Sequence, residues 1–119
     1  MDDIREWTIR RGDIFLADFG QTVGSEQNGV RPVLTVQNNV GNRHSPTIIV
    51  APMTSKAKKM EQPTHVEIGE QFGLNESSVI LLEQIRTIDR GRIISYVGHV
   101  DGLTMASVNR ALRVSLGLY

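Results

Sequence analysis

Short apolar runs separated by polar, glycine-bearing stretches fill most of the chain, and only the final segment repeats its apolar positions at helical spacing. Asp13-Ile14-Phe15-Leu16-Ala17 reads as a first strand. Val30 to Gln37 reads as a second, with Val33, Leu34 and Val36 supplying β propensity. Pro32 has no N–H for a ladder bond, so it belongs near that strand's start or on an edge. Thr47-Ile48-Ile49-Val50-Ala51-Pro52-Met53 is apolar through its middle, the mark of a central strand. His65-Val66-Glu67-Ile68 is a short alternating strand. Ser78 to Asp89 is the longest strand expected. Its alternation sets Ile80, Leu82, Gln84, Arg86 and Ile88 on one face and Val79, Leu81, Glu83, Ile85 and Thr87 on the other. Arg92 to Val97 is its expected hairpin partner, across a turn near Arg90-Gly91.

From Thr104 onward, Met105, Val108, Leu112 and Ser115/Leu116 recur as they would on one helix face. Asp101 or Thr104 can cap the first turn and Gly117 can stop the last. Between these elements, residues 1–9 form a polar lead-in, and residues 18–29 a long loop with Gly20, Gly24 and Gly29. Asn38 to Asn42 is a turn, residues 54–63 a polar loop, and residues 69–77 a connection with room for one helical turn. Loops as long as 18–29 are often functional in compact domains. The expected fold is mainly β: a single domain over residues 1–119, built as a small, strongly bent antiparallel barrel with a C-terminal helix packed on it.

Composition narrows the chemistry. The chain has no cysteine, which removes disulfides, cysteine-ligated zinc and thiol nucleophiles. Its start is charged and lacks the apolar core of a signal peptide, and no apolar run nears the roughly 20 residues of a membrane span. A cytoplasmic protein without membrane association is expected. Thirteen cations balance thirteen anions, so any nucleic-acid contact must rest on a local basic groove rather than on bulk charge. Ten of those cations are arginine, which suits forked phosphate contacts; the three lysines, Lys56, Lys58 and Lys59, share one loop. His44, His65 and His99 lie in separate segments without metal-ligand spacing, and no glycine-rich phosphate loop precedes a helix. No metal and no cofactor are expected, and His65 suits a structural place on its strand.

Several residues admit two readings. Arg31, opening a strand after a glycine-bearing loop, fits an exposed edge cation or a phosphate clamp whose guanidinium fork holds an oxyanion. Thr54 fits an ordinary strand end or a site residue. Gln84 and Arg86 interrupt an apolar face, so that face either emerges at a sheet end or lines a groove; buried without partners they would cost several kcal/mol. Glu26, beside Ser25 and Gln27, is a solvated loop charge unless the loop folds over Arg31, when it becomes a proton acceptor. The lysine loop solubilises the chain or, through Lys56, tracks a nucleic-acid backbone. Phe19 fits the core or a base-stacking role.

Beyond these local readings, long blocks of the chain match one family in order. They include Arg11-Gly12-Asp13-Ile14, the run from Gly24 to Leu34, Ala51-Pro52-Met53-Thr54-Ser55, Pro63-Thr64-His65-Val66 and the run from Leu82 to Asp89. The chain resembles the MazF/PemK-type toxins of bacterial type II toxin–antitoxin systems from about residue 10 to residue 116. The resemblance implies an SH3-like β-barrel of the PemK and gyrase-poison kind, a homodimer, and inhibition by a cognate antitoxin whose tail occupies the RNA groove. It implies sequence-specific cleavage of single-stranded mRNA, independent of ribosomes and of metal. The family's catalytic arginine and threonine carry over onto Arg31 and Thr54. Its RNA-contacting positions carry over onto Gln84 and the loop around Ser25-Glu26.

Metal-free RNA cleavage requires attack by the ribose 2′-hydroxyl on its own phosphate, giving a 2′,3′-cyclic phosphate and a 5′-hydroxyl. Arg31 suits stabilisation of the developing charge, and Thr54 suits positioning of the phosphate. A guanidinium is a poor general base, so Glu26 is the natural acceptor to consider. Two rivals stand beside this expectation: a non-catalytic toxin on the same scaffold, such as a gyrase poison or inactive paralogue, and a small-barrel interaction module.

Overall fold

In the computed structural model, residues 8–55 and 62–119 are described, and seven strands and two helices follow one another along them. They are β1 (Asp13–Asp18), β2 (Val30–Thr35), α1 (Asn39–His44), β3 (Thr47–Thr54), β4 (His65–Ile68), β5 (Ser78–Leu81), β6 (Arg86–Asp89), β7 (Ile93–His99) and α2 (Gly102–Leu116). All strand pairs are antiparallel, in the order β4-β5-β3-β2-β1-β7, with β6 also paired to β3. The sheet is bent but its path is open, ending on β4 and β7 among the described residues. No helix among them is long and apolar enough to cross a membrane.

The apolar middle of β3 follows from burial on both faces. Ala51 and Met53 join Ile14, Leu34, Ile80 and Leu82 in a core closed by Val108 and Ala111 of α2. Ile48 and Val50 alternate to the opposite face, where they meet Phe15, Val33, Ile88 and Ile93. Each of the larger of these side chains (Val, Leu, Ile, Met or Phe) taken fully from water contributes about 1.5–3 kcal/mol. Arg11 ties the first strand to the helix: its Nε donates to Val36 O (2.8 Å) and its Nη2 to Asn109 Oδ1 (2.8 Å).

Two expectations change. The long strand over Ser78–Asp89 is broken at Leu82–Gln84 by a 3-10 turn. Arg86 lies opposite Val50, yet Met53, three residues on, lies opposite Ile80, six residues back. The three surplus residues are the turn, which lets one stretch of chain follow β3 around its bend. The expected hairpin between that stretch and Arg92–Val97 is also absent. A second 3-10 turn at Arg90–Arg92, capped by the Asp89 side chain on Gly91 N, redirects the chain, and β7 pairs with β1. Ile88 and Ile93 thereby bury in one core from different strands. A smaller difference lies at Asn38–Asn42, where the expected turn becomes the start of α1, capped by Asn38 Oδ1 on Gly41 N (2.8 Å). The lysines of the 54–63 loop lie outside the described residues, as do residues 1–7 of the lead-in.

Candidate functional site

Val33 faces Pro52 across the β2–β3 ladder. Counting on two residues in each strand brings Arg31 level with Thr54, on the same face of the sheet. Both line one cleft of about 320 Å³, together with Pro32, Ser55, Glu76 and Ser78. Arg31 is half-buried, and its Nε donates to Asn28 O at 2.7 Å. The two terminal nitrogens make no such bond among the described residues, which leaves the outer edge of the fork for an anion. Thr54 is 8% exposed and ends β3, where the apolar strand gives out into the cleft.

A second cleft, of about 360 Å³, lies one step back along the same face, around Pro52. Glu26, Gln27, Gln84 and Arg86 line it. Arg86 stands opposite Val50, so the polar side chains follow β3 from Val50 past Pro52 to Thr54. Gln84 and Arg86, the polar interruptions seen in the sequence, therefore line a groove, while Ile80 and Leu82 bury in one core and Ile88 in the other. The Arg86 guanidinium lies 4.8 Å from the centroid of the Phe19 ring, a cation–π distance. Phe19 itself is 2% exposed within the second core, with a face of its ring taken by Arg86. Two buried polar atoms at this cleft, Arg86 Nη1 and Gln27 Oε1, have no hydrogen-bond partner among the described residues. Such atoms are costly inside a protein and mark places where a ligand can satisfy them.

The loop between β1 and β2 is pinched rather than slack. Phe19 N donates to Gly29 O and Gly29 N to Gly20 O, both at 2.9 Å. Thr22 Oγ1 closes on Glu26 O at 2.9 Å, and Gln27 N donates to Gln84 Oε1 at 3.0 Å. The loop is held against the Leu82–Gln84 turn, and Glu26 turns to the Gln84–Arg86 cleft. Ser25 is exposed on the loop. Lys56 lies outside the described residues.

The structure also brings in residues that the sequence pattern does not mark. Asn75 and Glu76, in the connection before β5, line the Arg31–Thr54 cleft. They have no periodicity to betray them, because their place depends on how that loop packs against β7. Two of the three histidines serve pairwise contacts: His65 Nε2 meets Glu83 Oε2 at 2.9 Å, and His99 Nδ1 meets buried Asp13 Oδ1 at 2.8 Å. Among the described residues, no three His, Asp or Glu side chains gather as metal ligands would.

Comparison with known proteins adds to this geometry. A family model described as PemK-like, MazF-like toxin of type II toxin-antitoxin system matches residues 10–116. A relative named endoribonuclease EndoA, from Bacillus subtilis (strain 168), is 52% identical over 111 residues, covering 92% of this chain and 96% of that one. Among solved structures, MazF from Deinococcus radiodurans superimposes with a TM-score of 0.82 at 26% identity, over 95% of this chain and 100% of that one. An endoribonuclease from a mycobacterial species, solved in complex with its cognate antitoxin, superimposes with a TM-score of 0.75 at 28% identity, over 94% of this chain and 96% of that one.

Proposed function

The chain belongs to the PemK-like, MazF-like toxins of type II toxin–antitoxin systems, and from that premise we propose that it is an endoribonuclease cutting single-stranded mRNA in the cytoplasm. The observation that carries this reading is the meeting of Arg31 and Thr54 in one cleft, on the same face as the Gln84–Arg86 groove. A strand of RNA laid along β3 would present its reacting phosphate to Arg31 and Thr54 and its neighbouring nucleotides to Gln27, Gln84 and Arg86. Phe19 supports Arg86 from below, Ser25 lies on the loop that flanks the same path, and the role we assign to Lys56 is a contact to the RNA backbone.

The reaction we assign is attack of the 2′-oxygen on its own phosphate, without metal, leaving a 2′,3′-cyclic phosphate and a 5′-hydroxyl. Arg31 stabilises charge on the non-bridging oxygens and Thr54 orients the phosphate. Glu26 is the acceptor for the 2′-proton that the sequence nominates; an unchanged pH–rate profile in Glu26→Gln would remove it from that role. Incubation of the purified protein with long RNA in EDTA tests the whole reading. Discrete fragments ending in cyclic phosphate are expected. Intact RNA, with a trapped gyrase complex, would overturn the nuclease in favour of a poison on the same scaffold.

The partner we propose is a cognate antitoxin whose tail lies in the RNA groove, in keeping with the antitoxin complex of the mycobacterial neighbour. A homodimer goes with the same reading. Leu103, Val114, Leu116 and Leu118, all more than half exposed along and just beyond α2, offer apolar surface for it. A single-chain mass by light scattering at micromolar concentration would count against the dimer.

A further inference from the structure

The carboxylate nominated by the sequence and the carboxylate that lines the Arg31–Thr54 cleft are different residues. Glu26 lines the cleft around Pro52, together with Gln84 and Arg86. Among the described residues lining the Arg31–Thr54 cleft, Glu76 is the one acidic side chain.

Glu76 also sits on a loop whose backbone is fixed on both sides of it. Phe72 and Gly73 are both left-handed, with φ of 57° and 88°. For Phe72, which has a Cβ, that conformation is strained, and such strain persists where the surroundings over-determine it. Here the surroundings are the backbone of β7. A Cβ on Gly98 would collide with Phe72 O, and one on Gly73 with Val97 O. The two segments touch because neither glycine has a side chain. Phe72 and Leu74 pack on the main core, and Leu74 N donates to Gln71 O (3.1 Å). After Glu76, the buried Ser78 donates from Oγ to Glu76 O at 3.2 Å. The main chain is thus clamped before and after Glu76, while the carboxylate is exposed at the cleft.

An anionic side chain on the wall of a phosphate-binding cleft repels its ligand, which is a cost to binding unless the charge is used. We propose that Glu76 accepts the 2′-hydroxyl proton in the cleavage step; this rests on the endoribonuclease reading above. As the bond from the 2′-oxygen to phosphorus forms, its proton passes to the Glu76 carboxylate. The bond from phosphorus to the 5′-oxygen breaks, and that oxygen takes a proton from the Arg31 guanidinium. Arg31 recovers its proton from the Glu76 carboxylic acid through solvent, so the enzyme returns to its starting state with no net proton taken up.

The test measures kcat and KM against pH on a fluorogenic RNA–DNA oligonucleotide for wild type, Arg31→Ala, Glu76→Gln, Glu76→Asp and Glu26→Gln. Circular dichroism confirms that each is folded. Glu76→Gln is expected to lower kcat by about 10²–10⁴-fold, the usual worth of a general base, and to abolish the fall in rate at acid pH. Glu76→Asp recovers part of the rate and keeps the acid limb; a Glu26→Gln protein that loses the acid limb while Glu76→Gln keeps it would return the role to Glu26 and overturn the proposal. A Glu76→Gln protein with wild-type kcat and an intact acid limb would overturn the proposal. A lowered KM at unchanged kcat would overturn it too, by making Glu76 a merely repulsive wall. Failure of the endoribonuclease reading registers separately, as wild type that leaves the oligonucleotide intact or Arg31→Ala that cuts it like wild type.

Discussion

Arg31 and Thr54 illustrate how little a single residue says about itself. Arg31 follows a loop and precedes a proline, and Thr54 follows an apolar run; both descriptions fit ordinary strand ends. What joins them is the β2–β3 register, a long-range property that periodicity along one strand cannot carry. The resemblance to a toxin family supplied the pair, and the ladder supplies a physical reason for it. Their proposed roles predict different losses. Arg31→Ala removes a preorganised cation aimed at developing charge, and kcat should fall by about 10²–10³-fold. Arg31→Lys keeps the charge without the fork and should recover only part of that loss. Thr54→Val keeps the shape and removes one hydroxyl, a loss of about 10- to 100-fold for a bond to a charged phosphate. Steady-state cleavage of the fluorogenic oligonucleotide measures all three, and a Thr54→Val enzyme as fast as wild type would exclude the hydroxyl from the chemistry.

At the scale of elements, the C-terminal helix and the central strand were legible because one local signal sufficed. The 3.6-residue spacing over Met105, Val108 and Leu112 gives α2, and the unbroken apolar middle of β3 gives a strand buried on both faces. The break at Leu82–Gln84 was not legible. Leu82, Glu83 and Gln84 continue the alternation of their neighbours, and the turn exists because β3 bends and the chain beside it must follow with three extra residues. That same turn carries Gln84 to the groove, so the most misread element is also one that builds the candidate site. The start of α2 offers a cleaner test of local physics. Asp101 caps it, accepting from Thr104 N at 2.8 Å. Bonds from the Thr104 side chain and backbone hold the Asp101 carboxyl below its ordinary value. A carboxyl depressed by folding contributes stability above its unfolded value and loses it as pH falls through the folded one. Thermal melts should therefore show wild type above Asp101→Ala at neutral pH, with the gap narrowing under acid. A gap of constant size at every pH would mean that the charge contributes nothing.

Across the whole molecule, electroneutrality constrains how RNA can be held. Thirteen cations against thirteen anions leave no net field to gather a polyanion, so affinity must come from a few cations set in the groove and from contacts to bases. This has a numerical consequence, because each phosphate neutralised on a single strand steepens the salt dependence of binding by about 0.7 in the log–log slope. Arg31 and Arg86 alone would give a slope near −1.4, and the three lysines at 56, 58 and 59 would carry it to roughly −3.5 if all of them join. The measurement uses RNA with a 2′-deoxy nucleotide at the mapped cut site, so that binding proceeds without cleavage, and follows Kd from low to moderate salt. Replacing Lys56, Lys58 and Lys59 by glutamine should flatten the slope by about 2 if the loop tracks the backbone, and leave it unchanged if the loop merely solubilises. A wild-type slope as steep as about −6 would require more phosphate contacts than these five cations make and would sink the groove as drawn along β3.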